Sequence, residues 1–233
     1  MWDRKELKAR GKVAMKANYW RCVVAGMVVA LTSGAGSMLS SSRVSGGTNT
    51  EELQSTLSNM SEEELVTVAA VILGVVGLIM VVSFVLNVFV FSPLEVGGRR
   101  FFVVNSEEPA QLGELGFSFR NGYLHVALAM LRRNVQLLLW SMLFFIPGIV
   151  KGYSYRMVPY ILAENPDMSG GEAIALSRRM MNGQKWNAFV LDLSFLGWAI
   201  LTALTLGLVG ILYMNPYKAA TDAELYRTLR EGV

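Results

Sequence analysis

Two ionisable residues, Arg156 and Asp192, fall inside apolar stretches of this chain. A charged group at mid-bilayer depth costs about 2.5 to 3.5 kcal/mol on insertion scales. Such residues are expected either to clamp neighbouring helices by pairing or to hold a substrate or ion. Tyr153, Arg156 and Tyr160 stand at i, i+3 and i+7, which places them on one helix face. Asn87 and Asn215 each lie near the inner end of an apolar stretch, where an amide either joins that face or hydrogen-bonds between helices. These six residues are the expected ligand-binding or interhelical polar cluster. Lys151 is expected at an external hairpin tip.

Catalytic chemistry has little support, and the chain is read as a non-enzyme. A nucleophile needs a base and an oxyanion stabiliser beside it, yet the single histidine, His125, sits in an amphipathic segment away from any suitable serine. Cys22 is the single cysteine, so neither an internal disulfide nor a zinc site of several Cys or His ligands can form within one chain. Glu164 and Asp167 flank Pro166 and read as a polar turn. Gly97-Gly98-Arg99-Arg100 lacks the lysine and hydroxyl spacing of a phosphate loop. No metal and no cofactor is expected.

The elements that must position the cluster are membrane helices. Of 233 residues, 53% are hydrophobic and 17% charged, where soluble domains carry about 25% charged. The apolar residues fall into long blocks, so the lipid bilayer is the expected surrounding. The net charge of +3 accompanies no nucleic-acid motif, and no nucleic-acid partner is expected. Basic residues flanking membrane helices account for it.

The expected fold class is an all-α membrane protein, with six transmembrane helices as three hairpins and basic amphipathic helices on the cytoplasmic side. An amphipathic helix over 1–18 leads to a first hairpin of 19–40 and 65–92, joined by an external loop over 41–64. A cytoplasmic segment over 93–134 precedes a second hairpin at 135–164, broken near Pro147-Gly148. A cytoplasmic amphipathic helix over 165–185 leads to a third hairpin at 186–216, punctuated by Gly207 and Gly210, and a cytoplasmic tail over 217–233. Ser61 to Glu64 and Ser169 to Glu172 have capping-box spacing. The arm from Ile149 to Glu164, 16 residues long, spans about 24 Å, short of a full hydrocarbon core.

Residues 1–21 hold seven Lys or Arg against two acids, whereas residues 41–64 hold one Arg against five Glu. The basic-residue bias therefore places both termini in the cytoplasm. The small residues after Leu31 also resemble a signal-peptide cleavage region, but the long, patterned basic stretch before Tyr19 favours a retained helix. Glycines Gly74 with Gly77, Gly207 with Gly210, and Ser33 with Gly34 and Gly36 are expected at helix contacts, with a homo-oligomer interface among the candidates.

A loose threefold pattern runs through the chain: a basic entry, an outgoing helix, an incoming helix and a proline. The prolines are Pro93, Pro159 and Pro216, each between an apolar stretch and a bulky residue. Equally oriented two-helix units could surround an axis along the membrane normal. The same features also arise when every inner entry is basic and every inner exit carries proline.

The motifs Asn18-Tyr19-Trp20, Ile146-Pro147-Gly148-Ile149-Val150-Lys151 with Tyr153-Ser154-Tyr155, and Tyr160 through Pro166 resemble a bacterial integral membrane family of unknown function, the domain of unknown function 975 family. Ser194 to Trp198 and Asn215-Pro216-Tyr217, followed by Thr221 and Tyr226, add to the resemblance. It is most specific in the second half of the chain. A looser similarity runs to the membrane domain attached to some glycerophosphodiester phosphodiesterases. These resemblances imply a six-helix protein of the bacterial plasma membrane and carry over no activity. The leading functional expectation is a non-enzymatic scaffold or accessory protein with a membrane protein partner. A small transporter or lipid- or solute-binding permeation protein is the alternative, and an intramembrane lipid-modifying enzyme is third.

Overall fold

Asp3 starts the first helix, its carboxylate accepting the Lys5 N–H at 3.2 Å. In the computed structural model, which describes residues 2–33 and 60–232, this helix, α1, runs Arg4–Ala17 and buries Leu7, Gly11 and Met15. That i, i+4, i+8 stripe is one helix face, while Val13 and Ala17 on the same helix are exposed. Asn18 interrupts the helix, and α2 continues over Tyr19–Thr32. The described residues are mostly helical, with turns and short connections between helices and no strand among them.

The next helix begins with the expected capping box. Ser61 Oγ accepts the Glu64 N–H at 3.3 Å, and the Glu64 carboxylate accepts the Ser61 N–H at 2.9 Å. Helix α3, Glu62–Leu86, buries none of its residues. A helix apolar on all sides and unburied by protein fits a lipid surrounding. It passes through a π turn at Asn87–Phe91 into α4, Ser92–Asn105, giving 44 helical residues from Glu62 to Asn105.

A short 3₁₀ turn, Leu112–Gly116, and α5, Phe117–Arg120, lead to α6, Tyr123–Leu143. The chain reverses at Phe144, whose φ of −156° and ψ of 140° are extended, and α7, Phe145–Ser154, packs back against α6. After α8, Val158–Glu164, the second expected capping box is present: Ser169 Oγ accepts the Glu172 N–H and opens α9, Gly170–Met180. Ala173 and Met180 are buried on one face of this helix, with Leu176 half-buried beside them. The last reversal joins α10, Lys185–Leu193, and α11, Leu196–Leu204, to α12, Asn215–Arg230. It is made by Leu206 and Gly207 at φ of 50° and 91°. The left-handed region favours glycine, so Gly207 is at ease there and Leu206 is not.

The repeated prolines have a common structural job. Pro93, Pro159 and Pro216 each occupy the first turn of α4, α8 and α12, where a missing N–H costs the new helix little. Each leaves the carbonyl four residues earlier without its usual donor. Tyr123 Oη donates to the Phe89 carbonyl at 2.8 Å, and Tyr19 Oη donates to the Leu212 carbonyl at 2.9 Å. The tyrosine at the start of the second unit thus serves the end of the first, and the tyrosine at the start of the first serves the end of the third. At the second unit the Tyr155 carbonyl accepts the Val158 N–H at 3.2 Å within a tight turn. The buried core gathers around α4, α8 and α12, with Phe101, Phe102, Tyr160 and Tyr226 among its largest side chains. Tyr160 and Tyr226 stack at 5.2 Å between ring centres.

Several expectations change in detail. Two helices, Glu62–Asn105 and Lys185–Leu204, are long and apolar enough to cross a membrane, and Tyr19–Thr32 is a shorter apolar helix. The segment over 93–134 is largely helical, containing most of α4 and the first half of α6. Lys151 lies inside α7, its ammonium 4.5 Å from the centre of the Trp140 ring, and the tip falls at Phe144 instead. Gly74 and Gly77 meet open space, so no helix of the described residues packs on them. Gly34, Gly36 and residues 41–59 of the expected external loop lie outside the described residues.

Candidate functional site

Arg156 stands in the turn between α7 and α8, and Asp192 stands near the end of α10. The guanidinium grips the carboxylate with two donors, Nη1 to Oδ2 at 2.8 Å and Nη2 to Oδ1 at 2.9 Å. This planar two-point geometry is the strong form of the interaction. Of the two roles left open from sequence, pairing or holding a ligand, these side chains are paired. Tyr153, one turn before Arg156, donates its hydroxyl to Asp192 Oδ2 at 2.9 Å and completes the sequence-predicted part of the cluster.

Two further residues belong to it. Arg156 Nη2 also donates to Asp222 Oδ1 at 2.7 Å, and Lys218 Nζ reaches Asp192 Oδ1 at 2.8 Å and Asp222 Oδ2 at 3.2 Å. Lys218 and Asp222 are one turn apart on α12. Their tail position, beyond the last apolar block, concealed them. A usable signal was the repeat: Glu95 and Arg99 occupy the same offsets after Pro93 that Lys218 and Asp222 occupy after Pro216, with the signs exchanged. Glu95 and Arg99 also pair, at 3.5 Å.

Tyr160 is close by but differently employed. Its hydroxyl accepts from Arg99 Nη1 at 3.2 Å, and its ring stacks on Tyr226. Tyr226 Oη donates to Glu164 at 2.7 Å; burial and this carboxylate hold the phenol well above its ordinary pKa. Arg230 pairs with Glu164 from the other side. Glu164 thus fastens α8 to α12 rather than forming a carboxylate pair with Asp167.

Asn87 and Asn215 do not join the cluster. Asn87 is exposed at the π turn, and Asn215 is half-buried at the start of α12; neither side chain makes a hydrogen bond to the cluster. Asn215 stands at i, i+3 and i+7 with Lys218 and Asp222, so helix-face spacing alone does not account for its staying outside the network. His125 is exposed on α6, and no group of three His, Cys, Asp or Glu able to hold a metal occurs among the described residues.

The arrangement is self-sufficient. Asp192 accepts four hydrogen bonds, from Arg156 twice, Tyr153 and Lys218, which is the acceptor capacity of a carboxylate. Two cations face two carboxylates, with Arg156 and Asp222 the least exposed of the four. Charges withdrawn from water are tolerable when paired and hydrogen-bonded in this way.

Residues 129–232, which contain all five residues of the cluster, match the model of a family described as a protein of unknown function (DUF975). No curated protein and no solved structure matches the chain.

Proposed function

We propose that this chain, tied through residues 129–232 to a family of unknown function, is a multi-pass protein of the bacterial plasma membrane that serves as a non-enzymatic scaffold or accessory to another membrane process. Six helices cross or enter the bilayer as three hairpins, and both termini face the cytoplasm. The basic α1 and the helix α9 then lie on the inner surface, and α3 presents an apolar face to lipid or to a partner helix. The observation that carries the reading is the saturation of Asp192: with all four acceptor positions occupied by Arg156, Tyr153 and Lys218, it clamps the second and third hairpins and leaves no free valence for cargo. Crosslinking in mild detergent followed by mass spectrometry is expected to recover one membrane protein in near-stoichiometric amount. Recovery of this chain alone would argue against the proposal.

A permeation protein is the competing reading, favoured by the ring-like linkage in which Tyr123 and Tyr19 join the end of one unit to the start of another. The discriminating test replaces Asp192 with Cys in a Cys22→Ser background and applies a water-soluble thiol reagent to sealed vesicles. Rapid labelling favours a water-filled path; protection favours the scaffold.

A further inference from the structure

Outside the clamp, helices α6, α7 and α9 enclose a cavity of about 380 Å³ whose lining includes Arg132, Lys151 and Arg178 and no acidic residue. Among the described residues none of these three cations forms an ion pair; the ion pairs there use other Arg and Lys side chains. Like charges around one space repel each other, and an anion between them converts that repulsion into attraction. Guanidinium groups match phosphate oxygens by their planar fork, and an ammonium adds a point charge. The space falls in the range of small-molecule sites.

The other wall of the cavity is apolar and open. Leu139 and Trp140 line it about two turns beyond Arg132 on α6, and they are 61% and 37% exposed. A cationic floor continuous with an exposed apolar wall matches the boundary between a lipid headgroup and its chains. A free phosphate would use the floor and leave the wall without purpose. We propose that this groove binds the headgroup phosphate of an anionic phospholipid between Arg132, Lys151 and Arg178, with an acyl chain along Leu139 and Trp140. The assignment rests on the reading of α6 and α7 as a membrane-embedded hairpin.

Gly171 on α9 offers a variant that leaves the charges in place. A Cβ there would lie 3.2 Å from Arg132 Nη1, so Gly171→Ala shifts the guanidinium slightly without removing it. Arg132 and Arg178 are both exposed, so their replacement is expected to leave folding intact.

The full chain is reconstituted into vesicles of equal phosphatidylglycerol and phosphatidylcholine, re-extracted in mild detergent, washed, and its retained lipids are quantified. Phosphatidylglycerol is expected to be retained over phosphatidylcholine roughly tenfold. Arg132→Gln with Arg178→Gln is expected to bring the ratio close to that of the vesicles, and Gly171→Ala to lower it by a smaller factor. Equal retention of both lipids by the native chain, or enrichment unchanged in both variants, overturns the proposal. Displacement by inorganic phosphate at matched concentration overturns it in favour of a free-anion site. Failure of the protein to enter vesicles of either lipid is a different result: it removes the membrane reading itself.

Discussion

Tyr19 donates its hydroxyl to the Leu212 carbonyl at 2.9 Å across 193 positions of sequence, and that carbonyl is the one Pro216 leaves without a helical N–H. Tyr123 does the same for Phe89, four residues before Pro93. In a medium without water such carbonyls must find donors on neighbouring helices.

Tyr19→Phe and Tyr123→Phe each remove one donor while preserving the ring. Each is expected to lower stability by about 0.5 to 1.5 kcal/mol. The two tyrosines share no partner, so the losses should add within about 0.5 kcal/mol. Unfolding in mixed micelles measures both; a double variant no less stable than either single one would show that the freed carbonyls are served in another way.

The clamp predicts an order of severity. Arg156→Met leaves Lys218 as the single cation of the network facing Asp192 and Asp222, and removing one partner from a poorly exposed network costs about 3 to 5 kcal/mol. Lys218, at 31% side-chain exposure against 14% for Arg156, is worth less, and Lys218→Met should cost about 1 kcal/mol. Arg156→Lys should recover only part of the loss because an ammonium cannot span both carboxylates with a planar fork. Denaturant midpoints that reverse the order of Arg156 and Lys218 would contradict this arrangement.

Glycines separate into those that are required and those that are free. A Cβ on Gly97 would lie 2.1 Å from the Leu115 carbonyl oxygen, so Gly97→Ala forces backbone apart and is expected to cost about 2 kcal/mol or more. Gly74 meets nothing within 4 Å, and Gly74→Ala should stabilise α3 by up to about 1 kcal/mol through helix propensity. Melting temperatures of the two variants should therefore move in opposite directions. A loss of stability at Gly74 would reveal a second copy packed on α3.

The capping box of α9 makes a pH prediction. Hydrogen bonds from the Ser169 hydroxyl and backbone N–H hold the Glu172 carboxyl below its ordinary pKa. A carboxyl depressed in the folded state contributes stability above its unfolded pKa of about 4.3, and that contribution disappears as pH falls through the folded pKa. Amide exchange at the first turn of α9 should thus distinguish Glu172→Ala from the native chain near neutrality and converge in strong acid. A difference that persists below both pKa values would assign the effect to side-chain packing instead.

The sequence by itself determined the helical class and the two capping boxes at Ser61 and Ser169 and favoured reversals near Pro147 and Gly207, because these are local: a side chain meets its own backbone within four residues, or a breaker lies within a few residues of a turn. It also singled out Arg156 and Asp192, since a charge in an apolar block requires compensation, but it left pairing and ligand binding as alternatives. Which other residues complete the clamp was decided by tertiary structure. Lys218 and Asp222 lie in a stretch of ordinary polar composition, and only the packing of α12 against the preceding units brings them to Arg156. Packing likewise left Asn87 and Asn215 outside, sent Tyr160 to Arg99, and brought Tyr19 to Leu212. Helical periodicity fixes the face on which a side chain stands, while the neighbour that meets that face depends on how helices far apart in sequence come together.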